Sequence, residues 1–277
     1  MLIDFHAHAF PDKIAAGALR QLVQNTLPYR EIYGEARPHT DATTAGLAAS
    51  SRAAGLDISL VLPIATTPKP SPTLNNFAAQ VDKLPGLRSF GSVHPLSPGA
   101  SAEVERIRSL GLRGIKLHPE YQGCYVDEAP TVELVRTAAS LGLWVIFHAG
   151  ADIGMPPPIH CTPERVIRLR KAVPDAKIIL AHLGGYLLWD EVGPALSAMD
   201  VWLDTSYCLP NHPDRREQFA RLIREAGPGR VLFGTDSPWA EQAGALDYTR
   251  AFLADYNFSV EEQAAILGEN ARKILFD

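Results

Sequence analysis

The sequence predicts an α/β fold, a single (β/α)8 TIM barrel, from the number of its strands and their alternation with helices. Eight short apolar runs rich in β-forming residues recur, and they span residues 2–8, 58–64, 88–94, 112–118, 143–149, 177–183, 201–206 and 230–236. Stretches with helical spacing separate these runs, an order that is typical of a parallel sheet covered on both faces. The alternative, an open doubly wound sheet, usually has about six strands and a Gly-rich first turn. Here the first turn reads HAHAFPDK.

Apolar spacing and start signals predict the helices. Val104 and Ile107 lie on one helical face before the fourth strand. Thr162 and Pro163 have the residue types of an N-cap and a first helical position. The S-x-x-E pattern at residues 259–262 is a capping box that opens the last helix.

The connection between the first two strands, residues 9–57, is longer than the others. Its surplus, around residues 10–45, combines helical pattern with Tyr29, Tyr33 and His39. This insertion is either a cap over the mouth of the barrel or a plain connecting helix.

Composition and charge narrow the class of protein. Hydrophobic residues make up 46% and charged residues 21%, which predicts one globular domain over residues 1–277. A net charge of -5 and a pI near 6.0 argue against a nucleic-acid partner. No apolar run approaches the roughly 20 residues that span a bilayer, and no signal peptide is evident, so we expect a cytoplasmic protein without membrane association. The three cysteines form no CxxC pair, which fits a reducing compartment.

Polar residues that end the predicted strands are the candidates for chemistry, because the functional face of an α/β barrel lies at the carboxyl ends of its strands. Six of the nine histidines end a strand, together with one aspartate. These residues are His6, His8, His94, His118, His148, His182 and Asp236. Random scatter would not concentrate them there.

A metal site is predicted from four of these residues. His6 and His8 are two positions apart, so both project from one face of the first strand. His148 approaches from the fifth strand, and Asp236 lies beside the first strand in a closed barrel. Three imidazoles and one carboxylate suit one divalent ion, Zn²⁺ first, with Mn, Fe and Co as alternatives. The alternative is that these histidines lie at strand ends without binding a metal ion.

Several motifs resemble those of the amidohydrolase superfamily, specifically the amidohydrolase-2 branch that also contains aminocarboxymuconate-semialdehyde decarboxylase and related lactonases. They are DFHAH, GIKLHP, FHAG, AHLGG, GTDSPW and GENARKILF, and they cover nearly the whole chain. The resemblance implies that His6, His8, His148 and Asp236 are metal ligands. It also implies that His182 contacts substrate or the water on the metal, although a buried histidine can simply bind a backbone carbonyl.

Lys116 and His118 share one face of the fourth strand and are expected to bind substrate. In some members of the resembled family a lysine on this strand is carbamylated and bridges two metals. A single ion with Lys116 as a cationic substrate contact is the favoured interpretation, and a carbamylated Lys116 with a second ion is the alternative.

Further polar strand ends and loop residues are weaker candidates. In the Pro-rich loop after the fifth strand, His160 either lines the substrate pocket or caps the next helix. Trp239 is expected at the pocket wall, with packing as the alternative. Asp204 and His94 either orient the metal ligands or are only structural.

The predicted function is hydrolysis of a small carbonyl substrate, such as an amide, lactone or ester, by water activated on the metal. Asp236 would move the proton and His182 would stabilise the oxyanion. The alternative is non-oxidative decarboxylation of an unsaturated or aromatic carboxylic acid, which is disfavoured because Lys116 is the sole basic residue found at a strand end. A third hypothesis is that the protein binds a metal ion without catalysing a reaction. The expected partner is a small molecule, and a homo-oligomer is left open.

Overall fold

Eight parallel strands form the core of the protein, whose computed structural model describes residues 1–34 and 36–277. The strands are β1 Ile3–Ala7, β2 Ile58–Val61, β3 Leu87–Ser89, β4 Gly114–Leu117, β5 Trp144–Phe147, β6 Lys177–Leu180, β7 Trp202–Asp204 and β8 Val231–Leu232. Each overlaps a run predicted from the sequence. Neighbours pair in chain order as two sheets, β1 to β3 and β4 to β8.

Backbone hydrogen bonds join the two sheets into a closed barrel. Between β3 and β4, the Lys116 N–H donates to the Gly91 carbonyl at 2.8 Å. Between β8 and β1, the Phe5 N–H donates to the Phe233 carbonyl at 2.8 Å. Parallel bridges pair Gly91 with Ile115 and Ala7 with Ser237. The predicted (β/α)8 barrel is therefore confirmed.

Helices follow the strands around the barrel. Those described are α1 Asp12–Thr26, α2 Arg30–Tyr33, α3 Thr44–Ala53, α4 Pro72–Val81, α5 Ala100–Ser109, α6 Pro119–Gln122, α7 Ala129–Ser140, α8 Pro163–Ala172, α9 Trp189–Met199, α10 Arg216–Ala226, α11 Gln242–Asp255, α12 Val260–Ala264 and α13 Asn270–Phe276. Among residues 1–34 and 36–277, none of these helices has the length and apolar character needed to cross a membrane.

The predicted helix starts are confirmed at two places. Helix α8 begins with Pro163 after Thr162, where the missing proline N–H costs no hydrogen bond. Helix α12 begins with a complete capping box, in which the Ser259 hydroxyl and the Glu262 carboxylate each accept a backbone N–H of the other residue.

The insertion after β1 folds as α1, a short 3-10 turn and α2. Leu22 and Thr26 of α1 line the cavity at the mouth of the barrel, as does Ala36. Its role as a cap stays a prediction.

Three apolar clusters hold the strands in place, and the smallest of them contains Ala7, Val61 and Leu87. The first lies between strands and helices, where Ile115 and Val145 pack with Val104 and Ile107 of α5. The second gathers side chains from several strands against α13, and it contains Phe5, Leu60, Phe90, Ile146, Ile179, Leu232, Ala271, Ile274 and Leu275. The register of β1 against β2 shifts between Asp4 and Ala7, the segment that contains His6.

Candidate metal centre and cavity

One cavity lies at the carboxyl ends of the strands. Most of its polar lining comes from strand-end residues that the sequence singled out, namely His6, His8, Lys116, His118, His148, His182 and Asp236, and Asp152 from the loop after β5 adds a second carboxylate. Its other walls are mostly apolar or aromatic and include Phe10, Leu22, Ile64, Tyr121, Ile153, Tyr186, Tyr207 and Trp239. Polar chemistry is therefore concentrated on one part of an otherwise apolar pocket.

Three of the four predicted metal ligands converge on one point. Donor atoms of His6, His8 and Asp236 lie within 4.8 Å of one another. The Asp236 Oδ1 atom is 3.1 Å from His8 Nε2 and 3.4 Å from His6 Nε2. His148 belongs to a neighbouring group with His118 and Asp152. The structure thus brings three predicted ligands together and places the fourth beside them.

The far nitrogens of His6 and His8 identify their tautomers. His6 Nδ1 lies 2.8 Å from the Asp204 carboxylate, and His8 Nδ1 lies 2.8 Å from the Leu62 carbonyl. Both partners accept hydrogen bonds, so each Nδ1 carries the proton and each Nε2 of a neutral ring has a lone pair. Those lone pairs face the Asp236 carboxylate, which also has only lone pairs to offer. The Lys116 ammonium, 3.4 Å from His6 Nε2, faces one of these lone pairs, and a cation or an added proton would satisfy the others.

His148 and His182 show the same arrangement. His148 Nε2 lies 3.0 Å from the Ala151 carbonyl, and His182 Nδ1 lies 2.9 Å from the Ser206 carbonyl. Their remaining nitrogens, His148 Nδ1 and His182 Nε2, are 3.0 Å apart. In neutral rings the lone pairs of these two nitrogens would face and repel each other. A proton or a cation is therefore required at this contact too.

The donor set fits a divalent metal ion. Histidines that bind metals almost always donate their other N–H to a carboxylate or carbonyl, and all four imidazoles described above do so. Imidazole nitrogens and one carboxylate are ligands that suit zinc, manganese and iron.

Burial keeps His6, His148 and His182 neutral and therefore available as ligands. Burial, followed by the charge of Lys116, lowers the pKa of His6 to about 4. Burial and neighbouring cationic groups lower the pKa of His148 well below its ordinary value. Burial raises the pKa of Asp236, but hydrogen bonding to His8 and the charges of His6 and His8 outweigh it, so the pKa is lowered overall. Asp236 is therefore an ionised carboxylate.

Two of the site residues have unusual backbone conformations. His182 has φ 58° and Asp236 has φ 70°, in the left-handed region that most side chains avoid. Such strain is found mainly where surrounding structure holds a functional side chain in place.

Lys116 is fully buried inside the cavity wall. Its Nζ atom is 3.4 Å from His6 Nε2, and burial lowers the pKa of its ammonium to about 8. Among the cavity-lining residues of the described chain it is the one lysine or arginine. The predicted position of Lys116 in the pocket is thus observed, whereas its role stays a proposal.

The other predicted substrate contacts divide into two groups. His118 and Trp239 line the cavity, and the His118 ring is stacked between Tyr121 and His148 at centroid distances of 4.2 Å and 4.1 Å. His160 does not belong to the cavity lining among the described residues. Its Nδ1 and its backbone N–H are each 2.6 Å from the carboxylate of Glu120, which lies on α6. The expectation that His160 lines the pocket is therefore wrong, because the buried Glu120 carboxylate holds its ring.

Residues that sequence reasoning left open or missed support the centre. Asp204 orients His6, whereas His94 Nδ1 accepts the Leu96 N–H at 3.1 Å. No sequence pattern predicts a role for Ser206, yet its hydroxyl lies 3.0 Å from both His6 Nδ1 and His182 Nδ1. The only signal was its place two residues after Asp204 at a strand end.

The chain belongs to the amidohydrolase family, whose sequence profile matches residues 3–276. The resemblance inferred from the motifs is thereby confirmed, and the chain is an enzyme of the amidohydrolase superfamily. No curated protein sequence matches the chain significantly.

Solved structures share the fold over the whole chain. A 5-carboxyvanillate decarboxylase from Sphingomonas paucimobilis is 20% identical with a TM-score of 0.70, over 99% of this chain and 98% of that one. A 5-carboxyvanillate decarboxylase from Novosphingobium aromaticivorans, with manganese and a nitrobenzoic acid bound, is 17% identical with a TM-score of 0.73, over 99% and 97%. A probable 2-pyrone-4,6-dicarboxylic acid hydrolase from Acinetobacter baumannii, with citric acid bound, is 16% identical with a TM-score of 0.64, over 99% and 98%.

Proposed function

We propose that the protein catalyses metal-dependent, non-oxidative decarboxylation of an aromatic or unsaturated carboxylic acid. The observation that carries this proposal is the Lys116 ammonium, fully buried 3.4 Å from His6 in a cavity with mainly apolar walls. A buried cation is costly unless anions accompany it, and although Asp204 and Asp236 favour the charged form of Lys116, burial still lowers its pKa to about 8, so a further anion would stabilise it. An organic anion with an apolar ring would pair with the Lys116 ammonium and pack against the apolar walls. The buried ammonium therefore reverses the preference for hydrolysis that was based on the sequence.

The similar structures support the same substrate class. Two of the three are decarboxylases of an aromatic acid, and one of them holds a nitrobenzoic acid. Aromatic side chains such as Tyr186, Tyr207 and Trp239 give this cavity walls that can pack against a ring.

The ligands of one divalent ion would be His6, His8 and Asp236, with His148 as the fourth. Zinc and manganese both suit this set, and manganese is bound in one similar structure. When bound, the ion supplies positive charge that orients the substrate carboxylate and withdraws electron density from it. With Lys116 present as an ammonium, a carbamylated lysine and a second ion are not needed.

The protein side chains would bind the acid and move one proton. Lys116 pairs with the substrate carboxylate, while His118 and Trp239 contact the ring. His182 Nε2, which is unprotonated in the neutral ring, would take up one proton from solvent and transfer it to the carbon bearing the carboxylate. The bond from that carbon to the carboxylate then breaks, its electron pair returns to the substrate, and CO₂ leaves. The proton comes from solvent, so the reaction consumes one proton and no oxidant.

The test is to incubate the metal-loaded protein with a panel of aromatic and unsaturated carboxylic acids, lactones, esters and amides. We expect CO₂ and the corresponding product lacking a carboxyl group from at least one acid. A chelator should abolish the release, and added Mn²⁺ or Zn²⁺ should restore it. Hydrolysed product without CO₂ would refute decarboxylation.

Hydrolysis is the second candidate because Asp236 is an ionised carboxylate at the donor group. Such a carboxylate can accept a proton from an attacking water, with His182 stabilising the oxyanion. One similar structure is described as a probable hydrolase. In the panel above, this candidate predicts turnover of lactones, esters or amides and no CO₂.

A further inference from the structure

The carboxylate of Asp152 lies in the cavity wall, outside the group formed by His6, His8 and Asp236. Asp152 lines the cavity, and 11% of its side chain is exposed. Its Oδ1 atom accepts the Gly154 N–H at 2.7 Å, which fixes the carboxylate on the loop after β5. No lysine or arginine is paired with it among the described salt bridges.

The nitrogens that face Asp152 are donors rather than ligands. His118 Nδ1 accepts the Tyr121 N–H at 3.4 Å, so the proton of the neutral ring is on Nε2, which lies 3.5 Å from Asp152 Oδ2. His148 Nε2 is 3.9 Å from the same oxygen and donates to the Ala151 carbonyl. Although His118, His148 and Asp152 are close enough to share an ion, both nitrogens lack the lone pair that an ion needs.

Asp152 therefore retains acceptor capacity that faces the cavity. Burial raises the pKa of Asp152 to about 7, so most of the group is ionised at pH 8, the pH at which binding is measured, and an ionised carboxylate has about four acceptor sites. The Gly154 N–H occupies one, and the Tyr121 side chain hydrogen-bonds to another. His118 Nε2, at 3.5 Å, is longer than an ordinary hydrogen bond. The adjoining wall residue Ile153 offers no polar side-chain group.

We propose that Asp152 is a specificity-determining residue, which selects substrates that carry a hydrogen-bond donor, a hydroxyl or an amino group, on the ring away from the carboxylate. This inference rests on the proposed function for the rest of the substrate. A ring with a donor supplies the partner that Asp152 lacks. A ring with an apolar group of the same size would displace water from the Asp152 carboxylate without donating a hydrogen bond in its place. The unpaired carboxylate would then disfavour binding.

The experiment measures binding by calorimetry to the protein with its native metal content. The probes are benzoate and its 3- and 4-substituted hydroxy, amino and methyl derivatives. A methyl group matches a hydroxyl in size but donates no hydrogen bond, so each methyl probe is the control for its hydroxyl counterpart. We expect at least one hydroxy or amino probe to bind about tenfold or more tightly than its methyl counterpart.

Asp152→Ala should remove this preference, so that no hydroxy or amino probe binds more than about twofold more tightly than its methyl counterpart. Asp127→Ala is the matched control, because Asp127 forms ion pairs with Arg165 and Arg168 outside the cavity lining. It should retain the full preference. Asp152→Asn is a second variant if the alanine form does not fold. Its one acceptor oxygen would accept the Gly154 N–H as Oδ1 does now, so its amide nitrogen would face the probe, and the preference for the amino probe should be lost because both groups donate.

Equal affinity of wild-type protein for hydroxy, amino and methyl probes would overturn the proposal, as would a preference that survives in both Asp152 variants. Absence of binding by every benzoate would overturn it too. The proposed reaction is judged separately by CO₂ release. If the preference for hydroxy or amino probes depends on Asp152 but no acid releases CO₂, the binding role of Asp152 would be supported and the decarboxylation proposal would be refuted.

Discussion

At the scale of single residues, the centre is defined by which ring nitrogen of each histidine carries a proton. A strand presents a histidine side chain to the cavity, but the acceptor behind the ring decides which nitrogen can bind a cation. Asp204 fulfils this function for His6, and the Leu62 carbonyl fulfils it for His8. The metal ligands therefore depend on residues that are distant in sequence.

Replacement of His8 by alanine should lower the metal content of the purified protein to below about one tenth of the wild-type value, because the substitution removes one donor of a convergent group. Elemental analysis measures this directly. His39→Ala is the matched control, since His39 is exposed, and its metal content should equal that of the wild type. Full metal occupancy in His8→Ala would exclude His8 as a ligand.

At the scale of elements, several contacts attach the loop between β5 and α8 to the loop after β4, and one of them is the buried pair of Glu120 with His160. Glu120 of α6 is 3% exposed and holds both the ring and the backbone N–H of His160. The same β5 loop carries Asp152 and Ile153 into the cavity wall. Glu120 is therefore expected to keep this wall in place without touching the substrate.

We predict that Glu120→Ala lowers the free energy of unfolding by about 2 kcal/mol, because it removes charge-assisted hydrogen bonds and leaves a buried N–H without a partner. Urea denaturation measures the change. Glu133→Ala is the control, since Glu133 is 61% exposed in an ion pair with Arg136, and such pairs contribute about 0 to 1 kcal/mol. Equal, small effects of both substitutions would show that the Glu120 pair does not hold the loop.

At the scale of the whole molecule, the last helix stabilises the barrel. Ala271, Ile274 and Leu275 of α13 pack in the same cluster as Phe5 and Phe90 from the strands. Closure itself brings Asp236, after β8, beside His6 on β1, where the Asp236 N–H donates to the His6 carbonyl at 2.7 Å. Stability of the barrel and assembly of the centre are thus coupled.

Ile274→Ala should destabilise the protein by about 2 to 4 kcal/mol, because it removes buried methyl groups and leaves a cavity. The urea midpoint should fall while the slope of the transition is unchanged. Val260→Ala is the control, as Val260 is 77% exposed, and its effect should stay within about 0.5 kcal/mol. A negligible loss in Ile274→Ala would mean that α13 does not support the core.

The sequence by itself determined the eight strands, the helix starts at Pro163 and Ser259, and the family, because apolar periodicity and capping chemistry are local properties. It also marked the strand ends at which the catalytic groups of a barrel meet. Only the tertiary structure decided which partners those groups have. In the folded protein Asp204 hydrogen-bonds to His6, Asp152 lines the cavity, and His160 hydrogen-bonds to Glu120 instead of lining the cavity. Such contacts join residues far apart in the chain, and their geometry follows from barrel closure and loop packing, which no local pattern encodes.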